Sequence, residues 1–287
     1  MHSLVIEFTR LWSSSSLLHS LTQSLTHSLN HVSFFIGLHG IVNPNNNTLN
    51  VSDVVDKCAI VTPPKQGLVS WFKSSDLGTG SNAGNAWASA VGRFTAHPSL
   101  GTVKTGSWAG HGATRALNMV LGGTSSEYNF GPIIPERYTI CSLTKYNGQA
   151  KKRILQGTRS DWLHGHAAGK AGIAYYGGWL NGHINRVNPV RNWVNMCGSS
   201  RVLFLDGSGV VGRRDDHVPG NQAVVINTGK FASDKSDWGV AEVMTWDREL
   251  SEEEMQRASK YLRQVLHGVA ARARLLLFRE HIIPNPL

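Results

Sequence analysis

The sequence predicts an all-β fold: a jelly-roll β-sandwich of two antiparallel sheets with one C-terminal helix. Three observations predict it. Short apolar runs recur at roughly 8–12-residue intervals with Gly, Asn, Asp and Ser between them, the spacing of strands and turns in a sandwich. Charged residues are scarce at 16%, while the chain holds 30 Gly and 9 Trp, which suits half-buried strands better than solvated helices. Strand-like runs do not alternate regularly with helical ones, which argues against a parallel α/β sheet.

Residues 1–60 stand apart from that pattern. His19-Ser-Leu-Thr22, Gln23-Ser-Leu-Thr26 and His27-Ser-Leu-Asn30 form a tandem four-residue repeat. A DNA tetramer, CACT, read in frame encodes His-Ser-Leu-Thr, so the segment reads as translated repeat DNA or as a disordered or targeting segment. Residues 32–42 have the length of a signal-peptide apolar region but carry a His and two Gly far from Met1. Residues 43–50 are a linker by composition. Asn46-Asn-Thr48 and Asn50-Val-Ser52 are glycosylation acceptor patterns that matter only if the chain is secreted.

The sandwich is expected over residues 61–267, with 268–287 as a tail. Gly67-Leu-Val-Ser-Trp-Phe72 is the opening strand after Pro63-Pro64. Further strands are expected at 91–94, 101–104, 116–121, 138–146, 153–155, 173–176, 193–197, 202–205, 210–211, 223–226 and 239–246. Asp206-Gly207 tolerates positive φ and marks a hairpin, and Asn147-Gly148 ends the 138–146 strand in the same manner. Ser251-Glu-Glu-Glu254 is a capping box, with carboxylates where a helix N-terminus is electropositive. Met255, Ala258, Leu262, Val265 and Leu266 then recur at helical spacing.

The densest group of aromatics and imidazoles falls in residues 153–183. A loop with Trp162, His164 and His166 lies between two expected strands, followed by Tyr176, Trp179, Asn181 and His183. Sugars offer C–H faces to aromatic rings and hydroxyls to polar side chains. Trp162, His164, His166, Tyr176, Trp179, Asn181 and His183 supply that mixture and are the candidate ligand-binding residues. Ser107-Trp108-Ala-Gly-His111 is a weaker candidate of the same kind. The competing reading makes Trp162 and Trp179 structural, since most of 9 Trp must be.

Several pieces together resemble the concanavalin A-like lectin/glucanase superfamily and, within it, the laminin-G-like domains. They are Gly67-Leu-Val-Ser-Trp-Phe, Pro135-Glu-Arg-Tyr-Thr-Ile-Cys141, Val202-Leu-Phe-Leu-Asp-Gly207 and Trp238-Gly-Val-Ala-Glu-Val-Met-Thr-Trp-Asp-Arg-Glu-Leu-Ser-Glu-Glu-Glu-Met255. The resemblance covers roughly residues 64–265 and implies a jelly roll with adjacent first and last strands. It implies an extracellular setting and calcium as the ion, with Asp76 and Asp161 as candidate ligands in carboxylate-poor loops. It does not choose a function, because the superfamily holds lectins, adhesion modules and hydrolases.

Chemistry narrows the choice. Glycoside hydrolysis needs two carboxylates flanking the sugar bond. No strand carries Glu-x-Asp-x-Glu; Glu242 is alone on its strand, and Asp247 with Glu249 reads as a helix lead-in. Tyr175, Tyr176, His183 and Arg186 are of the types a polysaccharide lyase uses, without a lyase's strand motifs. His164, His166 and His183 lack the spacing of a known zinc or copper site. The three Cys (Cys58, Cys141 and Cys197) leave one odd and form no CxxC, so no zinc ribbon is indicated. Cys141 and Cys197 read as buried free thiols; in a secreted chain two of the three would pair.

The net charge is +9, and the excess belongs to the central domain rather than to the ends. Only Lys151-Lys152-Arg153 and Arg213-Arg214 form clusters, and no nucleic-acid-binding motif accompanies them. No apolar run reaches the roughly 18 residues of a membrane span. The expected role is a non-catalytic module whose partner is a glycan or a glycoprotein surface. The rivals are a glycoside hydrolase or lyase on the same fold and an adhesion domain using protein contacts only.

Overall fold

A computed structural model describes residues 60–77, 85–200, 202–211 and 219–268, together with strands β1 (Val42–Asn43) and β2 (Thr48–Leu49). The chain divides into two compact units, residues 59–271 and residues 1–58 with 272–287. In the second unit β1 pairs antiparallel with β2. The N-terminal repeats, Cys58, Arg213-Arg214 and the tail beyond residue 268 lie outside the described residues.

Residues 59–271 hold the sandwich. One sheet contains β3 (Leu68–Phe72), β6 (Lys104–Gly110), β7 (Ala113–Gly122), β9 (Thr139–Tyr146), β13 (Val194–Ser199), β14 (Val202–Leu205), β15 (Ser208–Val211) and β17 (Trp238–Trp246). Its order is β15-β14-β13-β9-β17-β7-β6, and β3 also pairs with β17. The other sheet runs β12-β11-β10-β16-β8-β5-β4. Its strands are β4 (Trp87–Ala88), β5 (Thr95–Leu100), β8 (Glu127–Ile134), β10 (Leu155–Gly157), β11 (Trp162–Ala167), β12 (Lys170–Tyr176) and β16 (Gln222–Ile226). Helix α1 (Glu252–His267) follows β17. Among the described residues no helix is long and apolar enough to cross a membrane.

Strand alternation builds two apolar layers. Between the sheets lie Phe72, Trp87, Phe130, Tyr138, Trp162 and Trp238, all buried. On the far side of the eight-stranded sheet, Leu117, Leu143, Phe204 and Trp246 meet Met255, Ala258 and Leu262 of α1. Fully burying one such large side chain is worth about 1.5–3 kcal/mol. The capping box forms in full, with Ser251 Oγ accepting from the Glu254 N–H and Glu254 accepting from the Ser251 N–H. Arg248 holds the same carboxylate through both of its oxygens and drives its pKa down to about 2.

The first and last strands of the sandwich pair, β3 with β17. At the hairpin of β14 and β15, Asp206 and Gly207 take φ of 52° and 83°. Cys141 and Cys197 face each other across β9 and β13 and are joined in a disulfide, which corrects the free-thiol reading. The expected strand at 91–94 is not one; the ladder starts at Thr95. The larger correction is β11. The loop expected around Trp162, His164 and His166 is a six-residue strand in mid-sheet. Gly165 sits there at φ 94° where the register with β12 shifts. The extra residue is Gly172 on β12, so Trp162, His164 and His166 keep regular inward alternation on β11 while β12 changes face between Ala174 and Ala171.

Candidate functional site

The inward direction of β11 decides the fate of most residues expected at a site. Trp162, His164 and His166 are 0% exposed, and Tyr176 is 1% exposed. Trp162 Nε1 donates to Tyr138 Oη at 2.7 Å, and His164 Nδ1 lies 2.5 Å from Tyr176 Oη. The Trp162 and Tyr176 rings are stacked at 5.2 Å. His166 Nδ1 lies 3.3 Å from Thr144 Oγ1, and its ring meets the Tyr146 ring edge-on. Burial pushes the pKa of both imidazoles down to about 3, with His164 adding to the effect on His166. These four side chains therefore hold the two sheets together and offer nothing to an outside ligand. The expectation that these four bind a ligand is corrected.

Asn181 is also buried, and its amide does backbone work. Oδ1 accepts from the Ala174 N–H at 3.3 Å and Nδ2 donates to the Gly172 carbonyl at 2.7 Å. Strand β12 is an edge strand, whose unpaired groups need partners. The segment after it supplies them: Leu180 N–H to Ala174 O, Arg186 N–H to Ala171 O, and Asn185 Oδ1 to the Ala171 N–H. Gly172, at φ 77°, lets this segment lie close, since a Cβ there would sit 3.1 Å from both Arg186 Cβ and Leu205 Cδ2. Trp179 and His183 remain at the surface. Trp179 packs edge-on to Tyr175 and stacks on His183 at 4.7 Å. His183 is exposed and the other two candidate imidazoles are buried, so the three do not converge on a metal.

The calcium expectation meets the same kind of obstacle. Asp161 is held by Arg153 at 2.6 Å and Asp76 by Lys73 at 3.4 Å. Among the described residues no group of three or more His, Cys, Asp or Glu could hold a metal ion. The residues present do not fit a calcium set.

A cleft of about 380 Å³ opens where the edge-covering segment continues. Arg186, Asn188, Asn192 and Trp193 line one wall; Asp206 of the β14–β15 turn and His267 at the end of α1 line the other. Asn195 joins the walls, donating to the Ser259 carbonyl and accepting from Ser259 Oγ on the helix. Asn192 Nδ2 donates to the Asn188 carbonyl at 3.3 Å, and Asn185 Nδ2 to Asn188 Oδ1 at 2.8 Å. Local side-chain bonds of this kind shape a loop without a ladder. Asp206 is the one carboxylate lining the cleft, and Arg263 holds it at 2.9 Å.

The sequence reading passed over this cleft, apart from weighing Arg186. Its walls come from four separate stretches of chain. One signal was available: residues 177–193 form a long connection rich in Asn and Arg, and long loops inside compact domains are commonly functional. Glu242, which the sequence presents only as an unpaired carboxylate on its strand, has a structural place. On one side β17 pairs β7 along residues 238–240 and β3 along 243–246, and Glu242 falls between. Its buried carboxylate accepts from the Ser74 N–H and Oγ, from Trp71 Nε1 and from Tyr261 Oη. Burial raises its pKa to about 7 despite those bonds. It fastens the fork of the sheet to α1.

No family model matches the chain, and no curated protein matches it. Solved structures do resemble it. Domain 4 of AbnA, a GH43 extracellular arabinanase from Geobacillus stearothermophilus in complex with arabinotriose, is 11% identical over 68% of this chain and 100% of that one, TM-score 0.49. A Trypanosoma rangeli sialidase mutant displaying trans-sialidase activity is 14% identical over 87% of this chain and 39% of that one, TM-score 0.45. The binding domain of botulinum neurotoxin DC in complex with SialylT is 10% identical over 68% and 52%, TM-score 0.44. At these identities and scores none of them bears on what this chain binds.

Proposed function

We propose that residues 61–267 form a laminin-G-like, concanavalin A-like module that binds carbohydrate without catalysis, on a free glycan or a glycoprotein surface. The observation that carries this reading is the lining of the cleft. Three amides, a guanidinium, an imidazole and one indole edge share a concave site whose volume of about 380 Å³ falls in the range of small-ligand pockets. Amides and guanidinium offer the fixed donors and acceptors that hydroxyls need, and Trp193 offers an apolar edge. The single carboxylate, already ion-paired, is a poor basis for the two-carboxylate chemistry of glycoside hydrolysis. Tyr175, Trp179 and His183 are proposed as a second contact surface. The disulfide of Cys141 with Cys197 favours an extracellular or otherwise oxidising compartment.

The test is a glycan array probed with the full chain, beside an Asn188→Ala/Asn192→Ala variant. The expected result is a restricted set of bound glycans that the variant loses. Protein ligands bound in the absence of any glycan would replace this reading with the adhesion one. Release of reducing ends or unsaturated sugar from a bound polysaccharide would replace it with the enzyme.

A further inference from the structure

Two basic side chains, Lys145 and Arg191, and the His111 imidazole gather beside Trp193. Lys145, on β9, is 3% exposed. Its ammonium donates to Asn147 Oδ1 at 3.0 Å and lies 5.6 Å from the centre of the Trp193 ring. The Trp193 N–H donates to the His111 carbonyl at 2.9 Å, which fixes the tip of the β6–β7 hairpin against the same tryptophan. Arg191 lies two residues before Trp193 and acts through space on both neighbours. Burial, then Lys145, then Arg191 lower the His111 pKa; burial, then Arg191, lower that of Lys145. Among the described residues no carboxylate pairs with any of the three.

Such a grouping is unfavourable by itself. An ammonium taken out of water and set among like charges loses solvation and gains repulsion. Cation–π contact with Trp193 and one amide oxygen offset part of this. The position gives the arrangement meaning. Trp193, Asn192 and Gly112 line the cleft, and each is the partner or chain neighbour of one of these three groups. Arg186, also without a carboxylate partner among the described residues, lines the cleft itself and donates to the Asn181 carbonyl.

We infer that Lys145, Arg191 and His111 form a subsite for the acidic group, a carboxylate or sulfate ester, of a sugar held in the adjoining cleft. This inference rests on the carbohydrate reading and adds the charge of the ligand to it. An anion there gains charge-assisted hydrogen bonds and relieves the mutual repulsion of the cations.

The test compares matched oligosaccharides by calorimetry with the full chain: an oligouronate, its carboxyl-reduced neutral counterpart, and a sulfated form of that neutral one. The expected result is at least about tenfold tighter binding of one acidic form over the neutral form, the size of one charged hydrogen bond. The margin narrows as salt rises. Arg191→Gln and Lys145→Met each remove most of the margin and leave the neutral affinity within about twofold. Arg191→Gln is the safer variant, because that side chain is half-buried whereas Lys145 is almost fully buried. Equal binding of acidic and neutral forms, or a margin that survives both substitutions, overturns the inference and leaves the carbohydrate reading standing. Failure of all three oligosaccharides, alongside an array on which nothing binds, overturns the carbohydrate reading itself.

Discussion

Two parts of one stretch of chain, residues 153–176 and residues 177–195, use similar side chains for opposite ends. The first part carries Trp162, His164, His166 and Tyr176 and sends all four into the gap between the sheets. The second carries Trp179, His183, Arg186, Asn188, Asn192 and Trp193 and keeps most of them at the surface or along the cleft. What separates them is the backbone. Strands β11 and β12 pair along their length, so alternation and the Gly172 bulge of β12 fix which side chains turn inward. The second part has no ladder of its own up to Trp193, before β13 begins. Its side chains bond backbone instead, Asn181 and Asn185 accepting from β12, Asn185 donating to the Val187 carbonyl and Asn192 to the Asn188 carbonyl, and Asn185, Asn188 and Asn192 stay within reach of solvent. Aromatic and imidazole content therefore does not separate a core from a site. The pairing of the backbone does.

The largest expected effect falls on the first part. Trp162→Ala removes a fully buried indole and strands the Tyr138 hydroxyl, so it costs about 3–5 kcal/mol. Urea unfolding measures this. A loss under about 1 kcal/mol would mean that β11 does not carry the core, and the contrast would collapse.

Acid gives the next effect. His164 and His166 have folded pKa values of about 3, below the ordinary 6.5 of the unfolded chain. Their stabilisation is complete above pH 6.5 and drains as pH falls toward 3, by about 1.4 kcal/mol per unit for each ring. At pH 5 the pair costs about 4 kcal/mol. Glu242 has the opposite sign. Its folded pKa of about 7 exceeds the ordinary 4.5, so protonation in the folded state adds stability as pH falls from 7 to 4.5. That gain is about 2 kcal/mol at pH 5 and offsets half of the histidine loss. Unfolding midpoints at pH 7 and pH 5 check both signs. His164→Gln and His166→Gln flatten the acid loss, and Glu242→Gln steepens it. An unchanged slope in all three variants would contradict the burial of these groups.

Sequence alone carried the fold because the fold depends on local signals. The Asp206-Gly207 hairpin, the Ser251–Glu254 capping box and the apolar stripe from Met255 to Leu266 each lie within one short segment. The pairing of β3 with β17 is long-range, and family resemblance supplied it rather than spacing. Strand β11 reads as a loop in Trp-Leu-His-Gly-His because Gly165, at φ 94° opposite the bulge of β12, is taken for a turn. Strand β8 was missed for a like reason: Gly131-Pro132 interrupts it, with Gly131 at φ 81° where its register with β16 shifts. The cleft was out of reach in a different sense. Gly112, Asn192, Asp206 and His267 become neighbours only after the hairpins and the helix have packed, and no local pattern announces that meeting.

The smallest effect on stability sharpens the contrast most. Asn192→Ala removes a side chain whose one hydrogen bond is an exposed donation to the Asn188 carbonyl at 3.3 Å. Away from the core, such a change shifts stability by no more than about 0.5 kcal/mol. On the proposed function it removes a polar group from the cleft wall, and affinity for the bound glycan falls by about tenfold, the worth of one hydrogen bond left unmade. Trp162→Ala shows the reverse pattern: its folded fraction binds as the parent does, because the indole lies behind the sheet surface. Unfolding curves and binding isotherms on the two variants form a double dissociation. If Asn192→Ala lost stability and kept affinity, the cleft would be only the seam where the loop, the hairpin turn and the helix close against one another. The site would then belong to Tyr175, Trp179 and His183 on the outer face, where Trp179→Ala separates the two surfaces.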